Sequence, residues 1–281
     1  MELRLYKTLW GHAGSLSAAA AHAAGHGYVG LEGTADRPPE QLALLEQALQ
    51  QYRLDYIQEI VTGGDYVPRR HASVAEHLAD VERQLLQGKP LQPRFATIIG
   101  GCDAWTLEQN EHFFNEALAA GERHGVVLSF ETHRSRSLFN PWATLLLLQR
   151  IPQLRLTCDL SHWVVVMERL LDDDLEVIDA VAQHAHHIHA RVGYPQGPQV
   201  PHPAAPEYAH ALASHQRCWE RIWSSQAARG YTASTMTPEF GPDGYMHILP
   251  FTNEPVADLV EVNEWMASTE QHHFAQWVAN R

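Results

Sequence analysis

The stretch GVVLSFETH, residues 125–133, carries the pattern that decides the fold. Gly125 ends a helical pattern, a short apolar run rich in β-formers follows, and this run finishes at Glu131 with His133 just beyond it. A short apolar run between turn signals is typical of a buried strand. The sequence therefore predicts a strand over residues 126–131 whose carboxyl end bears polar and charged side chains.

Seven further runs of this kind occur along the chain, separated by longer helical patterns. The predicted strands cover residues 3–9, 28–32, 54–60, 94–100, 126–131, 154–159, 185–190 and 232–239. Strict alternation of strand and helix predicts a parallel sheet, and eight units favour a single α/β domain over residues 1–281, a closed (β/α)8 TIM barrel. The alternative is a doubly wound open sheet, but no GxGxxG motif follows the first predicted strand.

Capping signals and loop lengths complete the predicted organisation. Two capping boxes mark helix starts, at Ser73 with Glu76 and at Thr106 with Gln109. We expect one helix over residues 163–183 and a last helix from residue 256 to the C-terminus. Two long connections, residues 62–72 and 192–206, follow strands three and seven and are candidate lids over the carboxyl ends of the strands.

Composition and charge limit the function classes. The 281 residues suit one barrel, which typically takes roughly 250. Lys and Arg total 20 against 33 Asp and Glu, and the net charge of −13 argues against a nucleic-acid partner, which would need a basic face. No apolar run approaches the roughly 20 residues of a membrane span. The N-terminal segment is unlike a signal peptide and the cysteines, Cys102, Cys158 and Cys218, lack paired spacing, so we expect a cytoplasmic protein.

The carboxyl ends of strands five to eight carry the predicted chemistry, because active sites of these barrels lie there. The strands end at Glu131, Asp159, His189 and Glu239, spaced by 28, 30 and 50 residues (159−131, 189−159, 239−189). Three buried carboxylates aimed at one point would repel each other, and a divalent cation would remove that cost. Oxygen ligands with one imidazole suit Mn2+, Mg2+ or Co2+, with Zn2+ as a further option.

The histidine run in strand seven offers two imidazole ligands. Side chains alternate along a strand, so His187, His189 and Arg191 share one face while Ile188 points to the helices. His189 lies nearer to the carboxyl end of the strand and is our choice. His187 is the alternative, either as the ligand or as a packed histidine inside the barrel.

The segments FETH, CDLSHW, HIHAR and PEF around these strand ends resemble the xylose isomerase-like TIM barrel superfamily of sugar isomerases and epimerases, which also includes apurinic-site endonucleases. The resemblance covers nearly the whole chain in strand order. It implies one divalent metal held by Glu131, Asp159, His189 and Glu239. It also implies that the two glutamates move the substrate proton.

The resemblance further implies that two side chains contact the sugar. One is a histidine three residues after the aspartate, which is His162 here. The other is an arginine beyond the ligand histidine. Arg191 fits this second role less closely, since it lies only two residues after His189.

Three more strand-end residues are candidate substrate contacts. His133 follows strand five as a substrate contact, an extra ligand or a solvated loop residue. Glu32 ends strand two and would bind a substrate hydroxyl or pair with an interior cation such as Lys7. Trp10, after strand one, would pack on the apolar face of a sugar or plug the barrel mouth. Strand three ends near Glu59.

Together these features predict a divalent-metal-dependent isomerase or epimerase of a small sugar or polyhydroxy carbonyl compound, acting by proton transfer through a metal-stabilised enediolate. A dehydratase on the same scaffold needs the same enolate and stays open. Phosphodiester cleavage and a non-catalytic binding barrel are less favoured. The expected partner is a small molecule. A homo-oligomer through Trp265, Phe274 and Trp277 is an option, the other being that these aromatics cover the barrel.

Overall fold

The computed structural model describes residues 1–242 and 244–281 and confirms the predicted (β/α)8 barrel. All strand pairs are parallel and follow sequence order, and β1 closes the sheet against β8, with Leu5 opposite Met236. The strands are β1 Glu2–Thr8, β2 Gly30–Thr34, β3 Asp55–Val61, β4 Ala96–Ile99, β5 Leu128–Glu131, β6 Leu156–Cys158, β7 Ala185–Ala190 and β8 Ala233–Pro238. Every carboxyl end therefore meets at one mouth.

Helices surround the barrel and join successive strands. They are α1 Leu16–Gly25, α2 Pro39–Tyr52, α3 Val74–Gly88, α4 Leu107–His124, α5 Pro141–Arg150, α6 Ser161–Met167, α7 Leu175–Ala182, α8 Ala209–Ala228 and α9 Leu259–Ala279. Both predicted capping boxes are present, at the starts of α3 and α4. Gly125 ends α4 with φ of 69°, the left-handed conformation that glycine adopts without strain.

Two helix predictions are wrong in their bounds. The helix expected over residues 163–183 is interrupted, because Glu168 takes a left-handed conformation (φ 55°) and ends α6. The chain then passes through a short 3-10 turn before α7 begins. The last helix begins at Leu259 rather than at residue 256, since the Asp258 side chain accepts a hydrogen bond from the backbone of Glu261 and so caps α9 there.

The core has two parts. Bulky side chains fill the space between sheet and helices, among them the fully buried Trp163, Trp219 and Trp223. A smaller apolar cluster of Tyr6, Ile57 and Phe95 lies inside the barrel. His187 packs edge-on against Tyr6 and tilted against Phe95, so this cluster forms the floor below the polar interior.

The C-terminal aromatic residues cover the barrel. Phe274 is buried, and Trp265 and Trp277 pack against the core. None of the described helices combines the length and apolarity that crossing a bilayer would require.

Candidate metal and substrate site

A cavity of about 290 Å³ lies at the carboxyl ends of the strands. Glu131, Glu239 and Arg191 line the side formed by β5 to β8. Larger surface depressions exist elsewhere, such as one of about 440 Å³ beside α4 that Arg155 lines. That depression lies near the amino ends of β5 and β6, away from the end where barrels of this fold build their sites.

The four predicted ligands converge at this cavity. One side-chain ligand atom from each of Glu131, Asp159, His189 and Glu239 lies within 4.8 Å of the others, and all four residues are buried. Glu131 is the last residue of β5, Asp159 and Glu239 directly follow β6 and β8, and His189 lies in β7. The closed sheet brings these positions together although 108 residues separate the first from the last (239−131).

His189 is oriented as a ligand would be. Its Nε2 lies 3.1 Å from Glu32 Oε1, and because a carboxylate only accepts, this nitrogen is the one that donates. Its Nδ1 lies 2.9 Å from Glu239 Oε2 and 3.7 Å from Glu131 Oε1. Neither this Nδ1 nor Glu131 Oε2 forms a hydrogen bond with any described residue. No hydrogen bond to the protein therefore competes with a shared cation for these two atoms.

The electrostatics of the site favour a bound cation. Burial raises the pKa of Glu131 to about 7, and Glu239 and Asp159 add to the rise while His189 opposes it. Burial also raises the pKa of Asp159, against the effect of Arg191. Burial lowers the pKa of His189, but Glu239, Glu32 and Glu131 outweigh it and raise the pKa well above its usual value. The donor set and its orphaned atoms therefore fit a divalent metal ion.

His162 and Arg191 lie together beside the ligands. Arg191 Nη2 lies 2.8 Å from His162 Nε2, which accepts the bond, and the same guanidinium pairs with Asp159. Arg191 Nε donates to Ser161 Oγ at 3.1 Å. Burial, His133 and Arg191 hold the pKa of His162 well below its usual range, so its ring is neutral. Arg191 reaches the site despite its short spacing from His189.

His133 is a buried residue of the cavity wall rather than a solvated loop residue. Its ring lies over that of His162, with centroids 3.8 Å apart. Burial lowers its pKa well below the usual value. With Glu131 and His162 it forms a second group whose ligand atoms lie within 4.8 Å of one another. The structure thus excludes one of the three roles considered for His133 and leaves substrate contact or extra ligand.

Glu32 does not lie where a substrate contact was expected, and the expected pairing with Lys7 is wrong. Glu32 is fully buried and lies deeper in the barrel than the cavity-lining residues. Its carboxylate accepts bonds from His187 and His189 at 3.1 Å each and from Thr97 at 3.0 Å. Lys7 instead lies 3.9 Å from Glu264. Glu32 therefore orients His189, as carboxylates behind ligand histidines do.

His187 is a packed histidine inside the barrel. Its Nε2 donates to Glu32 Oε2 at 3.1 Å, and its Nδ1 accepts from Thr235 Oγ1 at 2.8 Å. Both ring nitrogens are thus occupied, and Glu32 bridges His187 to His189.

Trp10 contributes to the cavity wall and supports Arg191. The Arg191 guanidinium lies against the rings of both Trp10 and Tyr245, 5.6 and 4.6 Å from their centroids. The two rings meet edge to face at 5.0 Å. Tyr245 lies in the connection after β8, where no strand or helix period marks it, and sequence reasoning missed it.

Three more cavity residues were missed or left without a role. Asp65 and Tyr66 come from the first candidate lid, and Glu59 lies inside the barrel near the end of β3. Burial raises the pKa of Glu59 to about 8, and Glu239 and Glu131 add to the rise. The isolated carboxylate at a predicted strand end was the only sequence signal for Glu59.

Both candidate lids are fastened to the barrel in this structure. The buried Arg136 donates to the carbonyl oxygens of Thr62 at 2.7 Å and Tyr66 at 3.0 Å, and also to that of Asp65. In the second segment, Gln199 exchanges two hydrogen bonds with the backbone of Gly241. Arg136, which does not line the cavity, therefore holds the first lid, whereas the second lid is held through its own Gln199 side chain.

No family model and no curated protein matches this sequence. Several solved structures, in contrast, are similar to this chain in fold. An L-ribulose 3-epimerase superposes with a TM-score of 0.69 at 14% identity, covering 100% of this chain and 97% of the other. The D-allulose 3-epimerase of Methylomonas sp. gives 0.66 at 13%, covering 97% and 98%. The IOLI protein with a bound zinc atom gives 0.64 at 15%, covering 100% and 99%. These likenesses confirm the predicted fold, a (β/α)8 barrel.

Proposed function

We propose that this protein is a divalent-metal-dependent isomerase or epimerase of a small, polyhydroxylated carbonyl compound. The observation that carries the proposal is the convergence of Glu131, Asp159, His189 and Glu239 on one point at the mouth of the barrel. Support also comes from two neighbours in fold, which are 3-epimerases of ketoses, and from a third, which holds zinc. Mn2+, Mg2+ or Co2+ is the preferred metal, with Zn2+ as the alternative.

The proposed chemistry is the exchange of one proton at a carbon beside the carbonyl group. Glu131 and Glu239 are the base and the acid, because both line the cavity and approach it from different strands. A bound divalent cation would polarise adjacent carbonyl and hydroxyl oxygens and stabilise the negative charge that develops on them.

The remaining residues orient the substrate. The neutral His162 and the permanently charged Arg191 lie beside the proton-transfer groups and would bind substrate oxygens. The aromatic rings around Arg191 keep it aligned and exclude water from one side of the cavity. The cavity, about 290 Å³, lies at the lower end of ligand pockets, which span roughly 300–1,000 Å³, and so suits a monosaccharide-sized molecule.

Exchange of hydrogen with the solvent tests this proposal. The metal-loaded protein is incubated in D2O with a panel of five- and six-carbon ketoses and their phosphate and keto-acid counterparts. We expect deuterium at one carbon of the substrate or product, with the product isomeric to the substrate. A product lighter than its substrate by the mass of one water molecule would instead identify a dehydratase. The absence of both deuterium exchange and conversion across the whole panel would contradict the proposal.

A further inference from the structure

Two histidines and one glutamate lie together between the first and the last helix, outside the cavity. His22 belongs to α1 and His26 directly follows that helix, whereas Glu264 belongs to α9. One side-chain ligand atom from each of the three residues lies within 4.8 Å of the others. None of the three lines the cavity at the barrel mouth, and the proposed chemistry gives them no role.

The spacing of the two histidines brings their rings together. Residues four apart at a helix lie on the same face, and the rings of His22 and His26 stack with their centroids 4.0 Å apart and their planes inclined by 11°. Two stacked imidazolium ions would repel each other, so this arrangement favours neutral rings, the form in which histidine binds metals. His26 Nδ1 donates to the carbonyl oxygen of His22 at 2.8 Å, which leaves the lone pair of the neutral ring on Nε2.

The contact between His22 and Glu264 has room for an ion. His22 Nδ1 is shielded from solvent and forms no hydrogen bond with any described residue. It lies 3.7 Å from Glu264 Oε1, which is too far for a hydrogen bond. A zinc ion, with bonds of roughly 2.0–2.2 Å to nitrogen and oxygen, holds neighbouring donor atoms roughly 3–4 Å apart. The Tyr28 hydroxyl donates to the same Oε1 at 2.9 Å and fixes the carboxylate in place.

The charges nearby indicate which ion fits. The buried Lys7 lies with its Nζ 3.9 Å from Glu264 Oε1, so its ammonium group opposes any cation and shares the carboxylate. His12, a further histidine near His22, has its Nε2 bonded to the carbonyl oxygen of Ser15 at 3.1 Å. Binding therefore depends on the two imidazoles. Imidazole ligands suit Zn2+, whereas Mg2+ and Mn2+ rely on several oxygen ligands.

We infer that His22, His26 and Glu264 form a second metal site, separate from the one proposed at the barrel mouth, which binds Zn2+ and links α1 to α9. These helices follow β1 and β8, the strands whose pairing closes the barrel. A zinc ion at this place would join segments 242 residues apart (264−22) beside the closing seam of the sheet. The inference does not depend on the proposed function.

Equilibrium dialysis of the full chain against Zn2+, followed by elemental analysis, tests the inference. The wild type should hold two Zn2+ ions per chain, one at each site. His22→Ala and His26→Ala should each hold one, and so should His189→Ala, whereas the double variant His22→Ala/His189→Ala should hold none. Zn2+ should also raise the melting temperature of His189→Ala but not that of the double variant, because an ion that binds only the folded chain stabilises it.

His272→Ala is the matched control. His272 is an exposed histidine of α9 whose Nδ1 likewise donates to the carbonyl oxygen four residues earlier, that of Ser268 at 2.7 Å, and it lies outside the group of three. This variant should hold two Zn2+ ions. Melting temperatures of the metal-free variants that match the wild type exclude misfolding.

The outcomes separate this inference from the proposed function. His22→Ala and His26→Ala variants that hold as much Zn2+ as the wild type would overturn the inference and leave the site at the mouth standing. A wild type with a single Zn2+ ion that His22→Ala removes and His189→Ala retains would support the inference and refute the metal site at the mouth, and with it the proposed function.

Discussion

Strands β5 to β8 end in side chains that converge on one point, whereas β1 to β4 end in side chains that spread around an open cavity. The half formed by β5 to β8, which we call the converging half, brings together three carboxylates and an imidazole whose ligand atoms lie within 4.8 Å of one another. The half formed by β1 to β4 and the connections after them, which we call the open half, contributes Trp10, Glu59, Val61 and Ile99, which are not a set of metal-binding side chains. Under the proposed function, one half of the barrel would hold the metal and move the proton, and the other half would shape the space for the substrate.

Glu239→Gln should have the largest effect and tests the role of the converging half. The amide oxygen remains a metal donor but the group no longer takes up a proton, so kcat should fall by about a hundredfold to ten-thousandfold. The measurement is turnover on a substrate found in the panel, with metal content determined in parallel. Glu122→Gln, at an exposed position of α4, is the control for the change in charge. Wild-type turnover in a metal-loaded Glu239→Gln protein would remove this residue from proton transfer.

Arg136→Met should give the largest loss of stability. The guanidinium donates to the buried carbonyl groups of Thr62 and Gly101, which the methionine would leave without this donor. It also donates to the carbonyl groups of the exposed Asp65 and Tyr66. We expect a loss of roughly 3 kcal/mol in the free energy of unfolding, since each unsatisfied group costs about 1–3 kcal/mol. Because Asp65 and Tyr66 line the open half, KM should rise more than kcat falls.

Arg134→Met provides the control for Arg136→Met. Arg134 lies on the same loop, is only half-buried and contacts Tyr245 through its guanidinium at 5.0 Å. Removal of the Arg134 guanidinium should lower the free energy of unfolding by about 1 kcal/mol or less, as expected for an exposed cation–π contact. Equal melting temperatures for the Arg136 and Arg134 variants would show that the loop of the open half does not depend on Arg136.

Glu32→Gln would sharpen the comparison, because Glu32 belongs to β2 but serves the converging half. Without the carboxylate behind its Nε2, His189 loses its oriented tautomer, and metal affinity should fall about tenfold to a hundredfold. Competition with a chelator measures this affinity. At saturating metal the variant should retain the KM of the wild type, since Glu32 does not line the cavity. Unchanged metal affinity in the Glu32→Gln variant would show that Glu32 does not support the metal site and only packs inside the barrel.

Acidification should give the smallest effect. His215 is buried, its Nδ1 donates to Ala211 O at 2.9 Å and its Nε2 accepts from the backbone of Gly193 at 3.3 Å. Burial lowers its pKa to about 4. The unfolded chain, with a histidine pKa of about 6.5, binds the proton first, so stability is complete above that pH and declines as pH falls towards 4, by at most about 1.4 kcal/mol per pH unit.

Hydrogen exchange at the Gly193 amide reports this change locally. From pH 6.5 to 5 the amide should lose protection after correction for intrinsic exchange rates, and His215→Gln should flatten the dependence. The loop of the open half should respond as well, because the buried His77, whose pKa burial lowers to about 4, lies 2.7 Å through its Nδ1 from Thr62 Oγ1 at the start of that loop. His215→Gln should leave the response of that loop unchanged. A His215→Gln variant that keeps the wild-type pH dependence at the Gly193 amide would contradict the assignment to His215.

The two halves also differ in how far the sequence predicts them. Glu131, Asp159, His189 and Glu239 lie at or directly after strand ends, so strand prediction alone places them at one mouth. Tyr66 and Tyr245 lie in irregular connections whose path depends on distant groups such as Arg136, and no local pattern encodes that path. Glu32 shows a further limit, because alternation predicts its inward direction but not the depth at which His187 and His189 hold it.

The metal content of the purified protein tests the central claim most directly. After loading with Mn2+ and removal of free ion, elemental analysis should find one metal ion per chain in the wild type, and much less in His189→Ala and in Asp159→Asn. Glu59→Leu should hold as much as the wild type, because Glu59 belongs to the open half. A wild type that retains no metal after loading with Mn2+, Mg2+, Co2+ or Zn2+ would contradict the account, as would a His189→Ala protein that binds metal with undiminished affinity.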